Sequence, residues 1–263
     1  KVIKGKSMVS EEMEMNHFLG DCGVDCLESD MGEFIVQLRE EKPSHIIMPA
    51  IHLNAGQVAS LFHDKLEVDY TEDVDRLIQI GRETLRRKFF EADIGVSGVN
   101  FAIAETGTLL LVENEGNGRM STTVPPVHIA VTGIEKVLPT LDDLAAVARL
   151  LPRSATGQSI SNYFSILTGT RAAGEADGPE HMYFVLVDGG RSGLIGSEFQ
   201  DMLRCIRCGA CMNHCPVYQK IGGHAYGWVY PGPMGSVLTP AYTGLERTLD
   251  LPQASTLCGE CHV

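Results

Sequence analysis

Four cysteines, Cys205, Cys208, Cys211 and Cys215, are followed directly by Pro216. Their order is C-x2-C-x2-C-x3-C-P, the run by which bacterial ferredoxins hold a [4Fe–4S] cluster. Two-residue gaps let one tight loop wrap three thiolates around three corners of a cubane. Gly209 and Ala210 keep the backbone close enough for N–H groups to point at sulfur. Pro216 fixes φ where the ligand loop must end. The chemistry of such a site is one-electron relay, because a cluster with a thiolate on every iron makes no bonds of its own.

In two-cluster proteins the fourth cysteine of the run serves the other cluster, so a partner motif is expected downstream. It begins at Cys258-Gly-Glu-Cys261. On that scheme Cys205, Cys208 and Cys211 bind one cluster, whose fourth ligand lies beyond Val263. Cys215, Cys258 and Cys261 bind the other, which also lacks a ligand here. The competing reading is structural zinc on Cys205, Cys208, Cys258 and Cys261. The gap between Cys208 and Cys258 far exceeds the roughly 15 to 20 residues of a zinc ribbon, and zinc leaves Cys211 and Cys215 without a role. His214 and His262, beside the cysteines, read as outer residues or solvent residues and not as ligands. Clustering of six of the 8 cysteines after residue 204 points to metal binding in a reducing compartment and not to disulfides.

The elements that must position this loop are of two kinds. Residues 1–188 alternate short β-branched runs with helical ones, the pattern of an α/β sheet with helices on its faces. Expected strands are Val24–Leu27, His45–Met48, Phe101–Ala104, Thr108–Val112, Val127–Val131, Ser159–Leu167 and Met182–Val187; Val2 and Ile3 look like the end of another. Expected helices are Ser10–Gly20, Asn54–Lys65, Glu72–Ala92 and Leu141–Leu151, with Asn54 as N-cap and Asp142 and Asp143 at the positive end of a first turn. Glycine takes over at residues 188–193, which marks a boundary, and residues 189–263 form a small ferredoxin-type module. It contains a short helix, Glu198–Arg204, and a Gly/Pro/Tyr-rich loop, Gly222–Pro240. That loop is too poor in aliphatic residues for a core of its own, so it must lean on the cluster or on the larger domain.

Composition bounds the rest. With 263 residues, 44% of them hydrophobic, the chain can bury one full α/β core and carry an appendage. A net charge of −13, with no basic run longer than Arg86-Arg87-Lys88, leaves no footprint for nucleic acid or an anionic membrane. No apolar stretch approaches the roughly 18 to 20 residues of a membrane helix, and no signal segment opens the chain, so a cytoplasmic protein is expected, any membrane association coming through partners. Lys1 and Val263 both look like cuts in a longer chain.

Other residues offer weaker chemistry. Glu105, in the turn of Ala104-Glu105-Thr106-Gly107-Thr108, sits where α/β proteins often place function, and it is the one weak catalytic candidate. The competing reading has it capping the turn with Thr106 and Thr108. Residues 4–10, beginning Lys4-Gly5-Lys6-Ser7, lack the frame of a phosphate loop. Residues 116–122, from Gly116 to Thr122, form a polar glycine loop that reads as a connection. Cys22 and Cys26 read as small buried hydrophobes, His45 and His52 as core-edge residues, and Trp228 as packing on the cluster module.

Taken together the motifs resemble the family of lactate utilisation protein B, the ferredoxin-bearing subunit of a three-protein bacterial L-lactate oxidation system. The resemblance rests on Lys6-Ser7-Met8-Val9-Ser10-Glu11-Glu12, on Gly98-Val99-Asn100 through Thr108, on Arg204-Cys205 through Pro216, and on Gly222-Gly223-His224-Ala225-Tyr226-Gly227, and it spans essentially the whole chain. It implies a lactate-utilisation domain of the sugar-isomerase and CoA-transferase type of α/β fold, followed by a pair of [4Fe–4S] sites. The implied partners are a second iron–sulfur subunit with cysteine-rich domains and a small protein built from the same α/β domain alone. The implied function is electron transfer in a complex that oxidises L-lactate to pyruvate, this chain being a subunit and not catalytic alone. The alternatives are a transferase or acyl-handling enzyme using Glu105, or an assembly scaffold.

Overall fold

The computed structural model describes residues 1–262, with side chains through Cys261. The reading of the His262 side chain, and any ligand beyond Val263, therefore lie outside the described residues. In chain order the elements are β1 (Val2–Lys4), α1 (Met8–Glu12), α2 (Met15–Asp21), β2 (Cys26–Glu28), α3 (Met31–Leu38), α4 (Ala55–Leu66), α5 (Val74–Glu91), β3 (Ile94–Gly98), β4 (Phe101–Ile103) and β5 (Thr108–Glu113). They continue with α6 (Asn117–Thr123), β6 (Val127–Gly133), β7 (Val137–Leu138), α7 (Leu141–Thr156), β8 (Tyr163–Leu167), β9 (His181–Val187), α8 (Ala210–His214), α9 (Pro216–Ile221) and α10 (Gly232–Thr243).

β1, β3 and β6 are short and largely buried, as strands covered on both faces must be. They form the centre of a five-stranded sheet of order β2-β1-β3-β6-β9, parallel throughout. Between β1 and β3 the direction of strand succession reverses. Val99 and Asn100 carry the chain from β3 into a second, mixed sheet of order β7-β4-β5-β8. Asn100 ties this corner, its N–H donating to Leu110 O at 2.9 Å and its Oδ1 accepting from Val112 N at 2.8 Å.

The helices follow their capping signals. Asn54 and Gln57 close a reciprocal capping box on α4, Thr140 and Asp143 close another on α7, and Gly157 ends α7 in the left-handed region. Helices α3, α4 and α5 bury Phe34, Phe62, Ile80, Leu85 and Phe89 against Ile3 of β1. Each such side chain contributes about 1.5–3 kcal/mol of burial free energy. On the second sheet Leu144 and Leu151 of α7 pack on Phe101, Ile103 and Leu110.

Several expectations need correction. His45–Met48 is a turn: His45 Nδ1 accepts from the N–H groups of Ile47 and Met48, which takes those donors away from any ladder. The helix expected over Ser10–Gly20 breaks at Glu14, whose φ is +50°, leaving α1 and α2. Residues 116–122 are not a loop but lie mostly in α6, and the supposed loop Gly222–Pro240 contains most of α10. Helix α10 supplies Met234 and Leu238 to a small core with Ile46, Met212, Val229 and Tyr230, so this segment does bury side chains of its own, and Met8 and Ile47 of the larger domain pack against it. Trp228 packs on the same core. Residues 198–204 make only a 3-10 turn over Gln200–Arg204. Cys22 ends α2 in solvent and is exposed, while Cys26 is half-buried with its thiol on Asn16 Oδ1.

Candidate iron–sulfur site and the cavity beside it

The cysteine run is shaped by two left-handed residues, Arg207 at φ +61° and Gly209 at φ +80°, which fold Cys205, Cys208 and Cys211 into one compact loop. At Gly209 the conformation suits glycine, and a Cβ there would also meet His45 Cε1 at 3.3 Å. Ile206 and Cys208 pack on the core of the second sheet, whereas Cys205 and Cys211 pack on the module's core. The loop is thus wedged between the two. Cys215 is buried and caps α9, its Sγ accepting from Tyr218 N at 3.4 Å with Pro216 in the first turn.

Burial pushes the Cys211 thiol up to about 11, and the neighbouring Cys205, Cys208 and Cys261 add to the effect. Four cysteines thus crowd one region, and they can all be thiolates only if cationic metal neutralises them. The 3-10 turn Glu260–His262 packs on α8 and brings Cys261 there. Cys258 is exposed, and its thiol is held down by the Thr256 hydroxyl and the Glu260 N–H.

The residues fit an iron–sulfur cluster on two counts. Among the described residues no three cysteine sulfurs lie within 4.8 Å of one another. A tetrahedral zinc with Zn–S of about 2.3 Å draws its sulfurs to about 3.8 Å, and no such tight set stands among the described cysteines. Beside Cys215, the buried Tyr226 hydroxyl has no oxygen or nitrogen partner and faces the Cys215 sulfur, an O–H donor of the kind that sulfur in a cluster accepts.

Against this loop lies a cavity of about 310 Å³. Its floor is the carboxyl edge of the parallel sheet, with Lys6 beyond β1, Asn100 beyond β3 and Thr132 in β6; its far wall is Ile206, Arg207 and Tyr230 of the module. The position matches the place where open α/β sheets bind ligands, outside the strand ends at the switch point. A buried charge network braces it. Arg191, fully buried, binds both oxygens of Glu12 and Oε2 of Glu135, and stacks on Tyr242. Arg207 binds Oε1 of Glu135 at 3.1 Å and stacks on Tyr230, whose hydroxyl bonds Glu12. Lys136, also buried, is held down to about 8 by burial and by Arg207.

Residue-by-residue reading missed Lys136, Glu135, Arg191 and Arg207. The available signal was position: Arg207 stands inside the first C-x2-C, and Glu135-Lys136 directly follows the strand at the switch-point edge. Other singled-out residues are structural or peripheral. Lys4 is buried in ion pairs with Glu28 at 2.7 Å and Glu11 at 2.9 Å, Ser7 caps α1, and Lys6 donates to Ile47 O. Glu105 is exposed in the β4–β5 turn, where it accepts from Leu141 N at 3.4 Å, and Thr106 donates to Thr108 beside it. His52 bonds Ser44 and Glu41 and touches His224.

The fold and this loop define a class: an α/β domain with a parallel sheet, carrying a ferredoxin-type cysteine module against its carboxyl edge. Residues 1–187 match the LUD domain and residues 201–263 match the 4Fe-4S dicluster domain, so the chain belongs to the LUD domain family and carries an iron–sulfur domain. It is 48% identical over 261 residues to the "uncharacterized electron transport protein YkgF" of Escherichia coli, covering 99% of this chain and 55% of that protein. It is 47% identical over 262 residues to "lactate utilization protein B" of Bacillus subtilis, again covering 99% and 55%. The chain thus spans about half the length of these curated relatives. A solved DUF162 family protein from Deinococcus radiodurans aligns with 71% of this chain and 87% of its own, at 16% identity and a TM-score of 0.33. Among the described residues no helix is long and apolar enough to cross a membrane.

Proposed function

We propose that this chain is the iron–sulfur electron-transfer part of a complex that oxidises L-lactate to pyruvate. The observation that carries the reading is the C-x2-C-x2-C-x3-C-P run, with Cys205, Cys208 and Cys211 brought into one loop by the left-handed Arg207 and Gly209. Cys205, Cys208 and Cys211 bind one [4Fe–4S] cluster; Cys215, Cys258 and Cys261 bind a second, each set completed by a residue outside this sequence. Two one-electron clusters suit the electron pair that leaves when lactate becomes pyruvate. The Tyr226 hydroxyl donates toward sulfur near Cys215, and the loop between Cys205 and Cys208 is braced by Arg207 and Glu135. The partners are a second iron–sulfur subunit with cysteine-rich domains and a small protein of the LUD type, in the cytoplasm. The division of labour follows the chain, residues 1–188 forming the α/β platform and residues 189–263 the relay module.

The names of the relatives, lactate utilization and electron transport, support this reading. The surroundings of Glu105 add no observation in favour of transferase chemistry. The test is anaerobic mixing of the full-length protein with its two partner subunits and L-lactate. Bleaching of the visible cluster absorbance, with pyruvate formed, is expected; pyruvate formation with these clusters still oxidised and absorbance unchanged overturns the proposal.

A further inference from the structure

Three buried cations and two buried carboxylates meet behind the cysteine loop. Arg191 binds Glu12 and one oxygen of Glu135, and Arg207 binds the other oxygen of Glu135. Lys136 has no carboxylate of its own. The one hydrogen bond of its ammonium among the described residues goes to Cys205 O at 3.4 Å, and it stands 5.7 Å over the Phe101 ring. Three positive charges against two negative leave one positive charge over, and Lys136, which reaches Cys205, carries it.

Arg207 leans on the same cysteine, donating to Cys205 O at 3.2 Å from inside the first C-x2-C. Burial and Arg207 push the Lys136 ammonium down, and negative charge at Glu135 and at the Cys205 thiol opposes them. Burial pushes Arg207 down as well, and negative charge at Tyr230 and at the Cys205 thiol outweighs it. Lys136 and Arg207 are only 7% and 8% exposed, so water screens these charges little. Arg204 gives the contrast: it precedes Cys205 in the chain, yet its side chain is 83% exposed and pairs with Asp201, so its charge is screened.

One electron added at a cysteine-bound iron–sulfur core adds one negative charge. A buried cation beside a ligand residue therefore favours the reduced state, and a buried carboxylate there favours the oxidised one. We infer that Lys136, acting through Cys205, raises the reduction potential of the cluster bound by the first cysteine run, and that Glu135 sets the same potential from the opposite side. The inference rests on the proposed iron–sulfur function and adds to it the side chains that tune the relay.

The experiment is a mediated redox titration, at fixed pH, of the full-length, anaerobically purified protein, followed by electron paramagnetic resonance. Dithionite is the electron donor; it is oxidised to sulfite as each cluster takes up one electron. Lys136→Gln keeps a donor for Cys205 O and removes the charge. It should shift the redox equilibrium of one cluster toward the oxidised form tenfold or more, a fall of about 59 mV for one electron. Glu135→Gln should raise the same potential, and Arg204→Gln should shift the equilibrium less than threefold. A merely structural role for Lys136 and Glu135 cannot give shifts of opposite sign. Should Lys136→Gln alone fail to hold iron, the sign of the Glu135→Gln shift decides. The inference is overturned if the two buried variants shift the potential the same way or not at all, if Arg204→Gln shifts it as far as Lys136→Gln, or if both buried variants lose the cluster. Iron and sulfide on the wild-type sample judge the proposed function separately: their absence overturns both readings, whereas a loaded protein with unmoved potentials overturns this one alone.

Discussion

Arg207, lodged between Cys205 and Cys208, donates to Glu135 Oε1 at 3.1 Å, and Glu135 stands just past the end of β6. The bond couples the cysteine loop to the parallel sheet. Because the other oxygen of Glu135 serves Arg191, one carboxylate holds two buried guanidinium groups.

Glu135→Gln leaves those two groups undercompensated in a site where the Glu135 side chain is 1% exposed. The expected cost is about 3–5 kcal/mol, read as a shift in the urea midpoint. Glu91→Gln, which breaks exposed pairs with Lys1 and Lys88, should leave the midpoint almost unchanged.

A Cβ at Gly235 would lie 1.6 Å from Tyr230 O, just before α10. Gly235→Ala should destabilise the module by several kcal/mol, visible as loss of near-ultraviolet dichroism. Gly193→Ala meets no atom within 4 Å and should stay within about 0.5 kcal/mol of wild type.

His128 is fully buried, bonds Ser97 Oγ at 2.8 Å and is held down to about 4 by burial. Between about pH 6.5 and about 4 the unfolded chain binds a proton here that the folded chain refuses, so stability falls as pH falls; above about 6.5 the group adds no pH dependence. At about pH 5 the loss is about 2 kcal/mol. Other buried groups titrate in the same range, so the check is a comparison: the pH slope of stability should flatten by about one proton in His128→Gln.

Tyr226→Phe removes a buried hydroxyl whose one neighbour as acceptor is the Cys215 sulfur. The iron-free protein should change by less than about 1 kcal/mol, since a thiol is a weak acceptor. The iron-loaded protein should show a lower cluster potential in a redox titration, because a donor to sulfur favours the reduced, more negative core.

How far the sequence could be read follows from the range of the forces involved. The cysteine run was legible because its ligands are near neighbours, and α4 and α7 because their capping boxes span three residues. β3 was missed: Ile94–Gly98 carries Gly95 and Gly98 in an otherwise strand-like run, and glycine is there because a Cβ at Gly95 would strike Ser121 O at 1.8 Å. α10 was missed for a like reason, its glycines and prolines reading as loop although they serve close packing on Tyr230 and Met212. The charge network beside the cavity was invisible because its pairs span the chain, Arg191 with Glu12 and Arg207 with Glu135. No local pattern records such pairs.

The most direct test of the central claim is iron and acid-labile sulfide analysis of the anaerobically purified full-length protein beside Cys208→Ser. The account predicts equal iron and sulfide, about eight of each per chain for two cubanes, falling by about four in the variant. Stoichiometric zinc without labile sulfide, or a metal content indifferent to Cys208→Ser, would contradict it.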